Sequence, residues 1–281
     1  MKKKATQTKE TAVVTTQTSA VQVSGTANMF AADAGSGVGM EGAGIESFAI
    51  PFLQVLQKGS PQVDEASPGT VLPGAKAGML YENISGQLTD GKNGITVVPC
   101  AYRRTFLQWA QDDSFKGEHM PEEITRRQAA GQIVDVNGTL YVPDKDGKVD
   151  PETADYLQET RNHYVLLVDD KTGAWRQALI SLRSTQIKKS RRLMTALAAV
   201  KMDVGGKLVT PATFANLVRI TTVAESNDKG TWFGWQFKLD GFVQSPELYA
   251  AAKQFHTAIV ANRVEHNYQP ANEEQQTQKG F

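Results

Sequence analysis

Two hairpin patterns separated by one helical pattern constrain the fold of this chain more than any other feature. Residues 162–182 are rich in apolar and β-branched side chains and are interrupted at 170–173 by the turn sequence DKTG. Residues 214–239 repeat this pattern around NDKG at 227–230. Both segments therefore predict two antiparallel strands joined by a tight turn.

A further strand pattern, Ile95–Trp109, precedes both hairpins and contains Pro99. Proline cannot donate a ladder hydrogen bond, so it predicts an edge strand or a bulge here. Five or so strands with one helix between the third and the fourth outline a small Greek-key barrel of the OB type. The sequence thus predicts a mainly β, α+β fold: an OB-like barrel with an inserted basic helix and a C-terminal helix.

Composition divides the chain into four segments. Residues 1–45 are rich in threonine and then in glycine, so they bury too little to offset the entropy of ordering and are predicted to be disordered. Residues 46–245 form the predicted OB-like nucleic-acid-binding domain. Residues 246–268 are the predicted C-terminal helix, with proline at its first position. Residues 269–281 are a polar tail, which we expect to be flexible.

The inserted helix carries a cluster of positive charge. At about 100° per residue its cations share one arc, opposite an apolar arc. The cations are Lys188, Lys189, Arg191 and Arg192, and the apolar residues are Leu193, Met194, Leu197 and Val200. Ser184 or Thr185 is a candidate N-cap, which places the cations where the helix dipole disfavours them by about 0.3–1 kcal/mol each. We expect the basic face to bind an anion; a solvated charged face is the alternative.

Charge is segregated along a chain whose formal net charge is zero. Residues 183–207, which include Arg183, hold seven basic residues and one acid, a local charge of +6. Residues 122–159 hold nine acids and four bases, a local charge of −5. Whole-molecule attraction to nucleic acid is not indicated, but a local electrostatic footprint is.

Aromatic residues stand beside cations in several strand patterns. Between 231 and 239, alternation predicts a core face of Phe233, Trp235, Phe237 and Leu239, and an outer face of Trp232, Gln236 and Lys238. A tryptophan among polar neighbours suits base stacking, which contributes about 1–3 kcal/mol per base. The same juxtaposition occurs at Trp175 with Arg176, and at Tyr102 with Arg103 and Arg104. Ordinary core packing is the alternative for each of these aromatics.

Signals for an enzyme are weak. The four histidines are widely separated in sequence, and no nucleophile elbow, P-loop or dinucleotide fingerprint occurs. Residues 144–152 resemble a calcium loop, but the glycine comes at the fourth position instead of the sixth. A two-metal site is a second alternative, with the carboxylates Asp112, Asp113, Glu118, Glu122 and Glu123 in a segment that reads as a loop. We predict no catalytic residue, metal or cofactor.

A single cysteine, Cys100, excludes an internal disulfide and a zinc site built from several thiolates. There is no apolar run of 18 residues and no signal-peptide pattern, so we expect an intracellular protein without a membrane segment.

The segments IPFLQVLQKGSPQV and AGMLYENISGQLTDGKNGITVVPCAYRRTFLQW, followed by hairpin, helix and hairpin, resemble a group of bacteriophage proteins. The later half is similar in outline to phage single-stranded DNA-binding proteins with an OB-fold. The resemblance covers roughly residues 46–245 and extends to a C-terminal phenylalanine, here Phe281. The tail departs from the strongly acidic family pattern, because Glu273 and Glu274 are offset by Lys279.

The resemblance implies a non-enzymatic protein that binds single-stranded DNA, without strong sequence preference, during phage DNA replication or recombination in the host cytoplasm. The basic helix would contact phosphates and the aromatics would stack on bases. Phe281 would contact replication or recombination proteins, and self-association is left open. There are two alternatives to single-stranded DNA binding: a virion or assembly protein, and a recombination enzyme of unrecognised type.

Overall fold

The computed structural model describes residues 48–65, 70–228 and 230–261. The predictions for 1–45, for the tail 269–281 and for Phe281 lie outside these residues. The described strands are β1 (Leu53–Val55), β2 (Leu80–Glu82), β3 (Leu88–Thr89), β4 (Ile95–Trp109), β5 (Phe115–His119), β6 (Val134–Val136), β7 (Thr139–Tyr141), β8 (Tyr156–Val168), β9 (Trp175–Arg183), β10 (Met202–Val204), β11 (Lys207–Val209), β12 (Asn216–Asn227) and β13 (Gly230–Phe242). The described α-helices are α1 (Pro121–Ala129), α2 (Ile187–Ala199) and α3 (Pro246–Val260).

One eight-stranded antiparallel sheet dominates the fold. Strands β4 and β8 pair along most of their length at its centre. Along one part of the length of this pair, the strand order is β9-β8-β4-β12-β13. Along the other part, β5 pairs with β4, and the β6–β7 hairpin pairs with β8. Small sheets β1-β2-β3 and β10-β11 complete the structure. The predicted mainly β, α+β class and both predicted strand pairs are confirmed.

The predicted closed barrel is wrong, because β9 and β13 do not pair with each other within the described chain. Other groups occupy their hydrogen-bonding edges. The amide of Leu179 in β9 donates to the carbonyl of Pro51 at 2.8 Å. The side-chain amide of Gln57 bonds both the N–H and the C=O of Phe233 in β13, each at 2.9 Å. The amide of Trp235 donates to Gln186 Oε1 at 3.2 Å. A backbone carbonyl on β9 and two glutamine side chains on β13 therefore occupy edges that a strand would otherwise pair.

A β-bulge at Cys100 interrupts the register of β4 with β8. Pro99 is therefore at a bulge, as one of the two sequence readings predicts, and the edge-strand reading is wrong because β4 lies at the sheet centre. The bulge changes which residues face each side: Val98 and Cys100 share a core with Leu107 and Trp109. Strict alternation along the whole strand would have separated these two pairs.

Two hydrophobic cores cover opposite faces of the sheet. One lies under α2 and is built mainly from β4, β8, β9, β12 and β13, with Leu193 and Leu197 of α2 and Trp235 of β13. The other lies under α3, where Phe255 meets Tyr164 of β8 edge to face, with ring centroids 6.4 Å apart. Because both faces are buried, β8 alternates between two apolar sets.

Helix α3 begins where the sequence predicts, with Pro246 at its first turn and the Ser245 hydroxyl accepting from the amide of Leu248 at 3.1 Å. Its far end is fixed to the sheet. The guanidinium of Arg103 donates to the carbonyl of Ile259, and His256 Nδ1 lies 2.9 Å from the carbonyl oxygen of Cys100. The part of the predicted helix from 262 to 268 lies outside the described residues.

None of the helices in the described ranges has the length and apolarity needed to cross a bilayer.

Candidate nucleic-acid interface

Helix α2 has the two faces that its sequence predicts. Ser190, Leu193 and Leu197 are buried, while Lys188, Arg191 and Arg192 are exposed. The predicted N-cap is wrong: a 3₁₀ turn over Ser184–Gln186 leads directly into the helix, and Gln186 makes no side-chain cap. Instead, its side chain bonds the edge of β13. The basic residues therefore come after a 3₁₀ turn that is continuous with α2. The N-terminus of α2 does not by itself define an anion site.

A buried hydrogen bond anchors α2 to the sheet. Ser190 Oγ lies 2.8 Å from Nε2 of His163 in β8, and both residues are buried. Burial, aided by the positive charge of Arg161, lowers the pKa of His163 to about 4. The imidazole is therefore neutral at pH 7. The pair has the spacing of a nucleophile and its base, but neither group reaches solvent, so it serves packing and not catalysis.

Glu225 connects the helix to the β12–β13 hairpin. It forms an ion pair with Lys189, and its Oε2 accepts from the indole N–H of Trp232 at 3.0 Å. Partial burial alone would raise the pKa of Glu225, but bonds from Lys189, its charge and the Trp232 indole lower it below its usual value. The structure thus brings together two predicted residues that are 43 positions apart in sequence, and it neutralises one of the four helix cations.

Exposed cations continue beyond α2. We call residues 188–207 the basic segment; its exposed cations are Lys188, Arg191, Arg192, Lys201 and Lys207. Lys201 donates to Thr210 Oγ1. No hydrogen bond or ion pair joins the side chains of Lys188, Arg191, Arg192 and Lys207 to any residue that the structure describes. Three of these unpaired cations, Lys188, Arg191 and Arg192, lie on the exposed side of α2, where they are suited to binding a polyanion.

Several predicted residues lie elsewhere. Arg183 is only 6% exposed, lies on the α3 side of the sheet with its guanidinium 6.0 Å from the Trp109 ring, and donates to Gln158. Lys238 is exposed on the outer face of β13, where it lies opposite Arg219 of β12. Arg219 pairs with Asp170.

Two of the predicted pairs of an aromatic and a cation adjacent in sequence, Trp175 with Arg176 and Tyr102 with Arg103, do not form joint sites. Trp175 packs into the core under α3, whereas Arg176 pairs with the buried Glu82 at 2.7 Å on the other face. Tyr102 contacts the His163 ring, with centroids 5.2 Å apart, on the side opposite Arg103. Successive strand residues point to opposite faces, so an aromatic and a cation at i and i+1 are separated by the sheet.

The structure also contains a pocket of about 300 Å³ between α1, the β6–β7 hairpin and the sheet. Its lining includes Arg104, Phe106, Asp135, Leu140 and Glu159. The Arg104 guanidinium lies 5.1 Å from the Phe106 ring and pairs with Glu159 at 2.9 Å. The sequence pattern does not predict this pocket. Three of the elements near it, β5, α1 and the β6–β7 hairpin, lie within residues 110–155, and most of that segment has the sequence pattern of a loop.

The carboxylates considered for metal binding are not grouped. Asp112 caps its own turn by accepting from the amide of Ser114 at 3.0 Å, and Glu123 lies 2.9 Å from His119. Asp144 Oδ1 accepts from the amides of Asp146 and Lys148, as in an Asx turn. Within the described ranges no three metal-ligating side chains come together.

Comparison with known proteins gives one finding. A family model described as Pam3 phage gp34-like protein matches residues 18–265. No curated protein and no solved structure matches the chain significantly. Since the family match spans well over half of the sequence, including both hairpins, α2 and α3, the chain belongs to the Pam3 phage gp34-like family of bacteriophage proteins.

Proposed function

We propose that this protein binds single-stranded DNA, without strong sequence preference, during phage DNA replication or recombination. The observation that carries the proposal is the basic segment. It concentrates four unpaired cations in a chain of zero net charge, and Glu225 links α2 to Trp232 beside it. Phosphates of a strand of any sequence would contact the cations, and a base would stack on the half-buried indole of Trp232.

Strand connectivity supports the proposal. The five long strands β4, β8, β9, β12 and β13 form a meander of three, followed by a hairpin whose first strand pairs with β4. Helix α2 lies between the third and fourth of them and contacts β8, β9 and β13. An OB-fold that stays open between its third and fifth strands has this arrangement.

One feature sets the proposed DNA path apart from that of an OB-fold, which binds strands across the outer face of its second and third strands. Here the corresponding face of β8 and β9, on the side of the sheet opposite α2, is buried in the core under α3 and Phe52. We therefore assign binding to α2 and the neighbouring end of the β12–β13 hairpin. The remaining outer face, on β12 and β13, carries Lys238.

The test is binding of a 30-nucleotide single strand as a function of salt. Log affinity should fall with log salt at about −0.7 per neutralised phosphate. The triple variant K188A/R191A/R192A should reduce the steepness of that slope by about 2 and weaken binding to all sequences alike. These side chains are exposed and unpaired, so the fold should be unaffected.

A matched control is K145A/K148A/K171A, which removes three exposed cations outside the basic segment. It should retain the wild-type slope. The proposal fails if wild-type protein does not bind the oligonucleotide, if affinity is independent of salt, or if both triple variants weaken binding equally.

A further inference from the structure

The β10–β11 ribbon stands apart from the eight-stranded sheet and forms a two-stranded sheet of its own. Met202 lies opposite Val209, Asp203 opposite Leu208, and Val204 opposite Lys207. Gly205 and Gly206 form the tip, both with positive φ, as a two-residue hairpin turn requires. Asp203 Oδ1 accepts from the amide of Gly206 at 2.7 Å, which fixes this tip.

The ribbon exposes apolar side chains on both of its faces. Leu208 is 74% exposed and Val204 is 55% exposed, and they point to opposite sides because their register partners differ by one residue. An isolated two-stranded hairpin is marginally stable in water, and exposed apolar surface is costly. A partner that covers Val204 and Leu208 would therefore stabilise the ribbon.

Charge identifies the chemistry of that partner. The ribbon overlaps the C-terminal end of the basic segment: Lys201 precedes β10, and Lys207 lies opposite Val204 in the ribbon. Its one acid, Asp203, already accepts the tip amide. A second copy that packs its own ribbon against this one would bring two segments of like charge together, which is unfavourable. A partner with phosphates and exposed apolar rings satisfies both the cations and the apolar side chains.

We propose that the β10–β11 ribbon is a second contact for single-stranded DNA, in which Val204 and Leu208 pack on unpaired bases and Lys201 and Lys207 contact flanking phosphates. This inference rests on the proposed function. It adds a second contact with bases besides Trp232, at a site 16–20 residues beyond the first cation of α2. Apolar contact with bases does not release counterions, so this part should not depend on salt.

The test compares the variant V204S/L208S with wild type on a (dT)30 strand and on an abasic strand of equal length. We expect a loss of about tenfold on (dT)30, with an unchanged salt slope, since removing apolar surface of two aliphatic side chains from water contributes about this much affinity. On the abasic strand the two proteins should bind equally. The control variant I84S replaces another exposed apolar residue, in the turn after β2, and should bind both strands as wild type does.

The outcomes are distinguishable. If wild type does not bind (dT)30, the proposed function fails and the ribbon inference fails with it. If wild type binds but V204S/L208S binds equally well, or loses the same factor on the abasic strand, only the ribbon inference is overturned. A change in sedimentation of V204S/L208S without DNA would also overturn it, because the ribbon would then be a contact between copies.

Discussion

His163 shows how burial, aided by the charge of Arg161, sets the protonation state of a residue near the candidate site. The imidazole is packed between the Tyr102 ring, Phe237 and Ser190 of α2, with Arg161 as the nearby charged group. A histidine whose folded pKa is below its unfolded value binds fewer protons in the folded state. Acidification therefore favours unfolding, and the effect is independent of any ligand.

We predict that this histidine contributes a pH-dependent part of stability. Its pKa is about 4 in the folded protein, against 6.5 for the ordinary side chain. The contribution of His163 to the free energy of unfolding is therefore fully present above pH 6.5. It decreases by about 3 kcal/mol as the pH falls towards 4. Urea unfolding of wild type and His163→Gln from pH 7.5 to 4 should show the stability gap between them closing on acidification.

Ser190→Ala provides the comparison for that experiment, because it removes the hydrogen bond and leaves His163 buried. It should lower the free energy of unfolding by about 1 kcal/mol at pH 7 and retain most of the pH dependence. Parallel stability curves for wild type and His163→Gln would show that His163 does not titrate in this range.

At the level of elements, the contact between α2 and the β12–β13 hairpin connects the fold to the proposed binding. Glu225 lies on β12, Lys189 on α2 and Trp232 on β13, so one carboxylate joins three elements. It also holds Lys189 in an intramolecular ion pair, which a phosphate would have to replace. This arrangement makes an unusual prediction, because removing the carboxylate should strengthen DNA binding.

Glu225→Gln should raise the affinity for (dT)30 about threefold at low salt and steepen the salt slope by about 0.7, since one more cation becomes available. The same variant should be less stable by about 1 kcal/mol, because charge-assisted hydrogen bonds become neutral. Glu122→Gln removes an exposed acid elsewhere and serves as the control. Weaker binding by Glu225→Gln would mean that Lys189 does not face the DNA, or that Trp232 needs its anchor.

Local pattern was sufficient for the long hairpins, the buried face of α2 and the start of α3. It failed where contacts are distant in sequence. Gln57 bonds Phe233 across 176 positions, and no periodicity reveals that pairing. It also misled where neighbours in sequence were taken as neighbours in space, as with Trp175 and Arg176. Of the predicted site, the structure groups α2 and Trp232, because those residues project from elements that pack together.

At the scale of the whole molecule, zero net charge conceals two segregated regions. The acidic stretch 122–159 covers most of α1 and all of the β6–β7 hairpin, and the basic segment covers most of α2 and overlaps the β10–β11 ribbon. An assembly protein could place the acidic stretch of one copy against the basic segment of another. A DNA-binding protein uses the basic segment for phosphates, so the two functions compete for the same cations.

This competition gives the last prediction. A protein whose cations serve single-stranded DNA in the infected cell has no role in a particle built from many copies, so purified virions should contain it at far below one copy per major capsid subunit. Quantitative mass spectrometry of purified particles measures that ratio. Stoichiometric amounts in the particle, together with salt-sensitive self-association of the purified protein, would favour the assembly function. In that case K188A/R191A/R192A should abolish self-association, because these three unpaired cations would then contact the acidic stretch of a neighbouring copy.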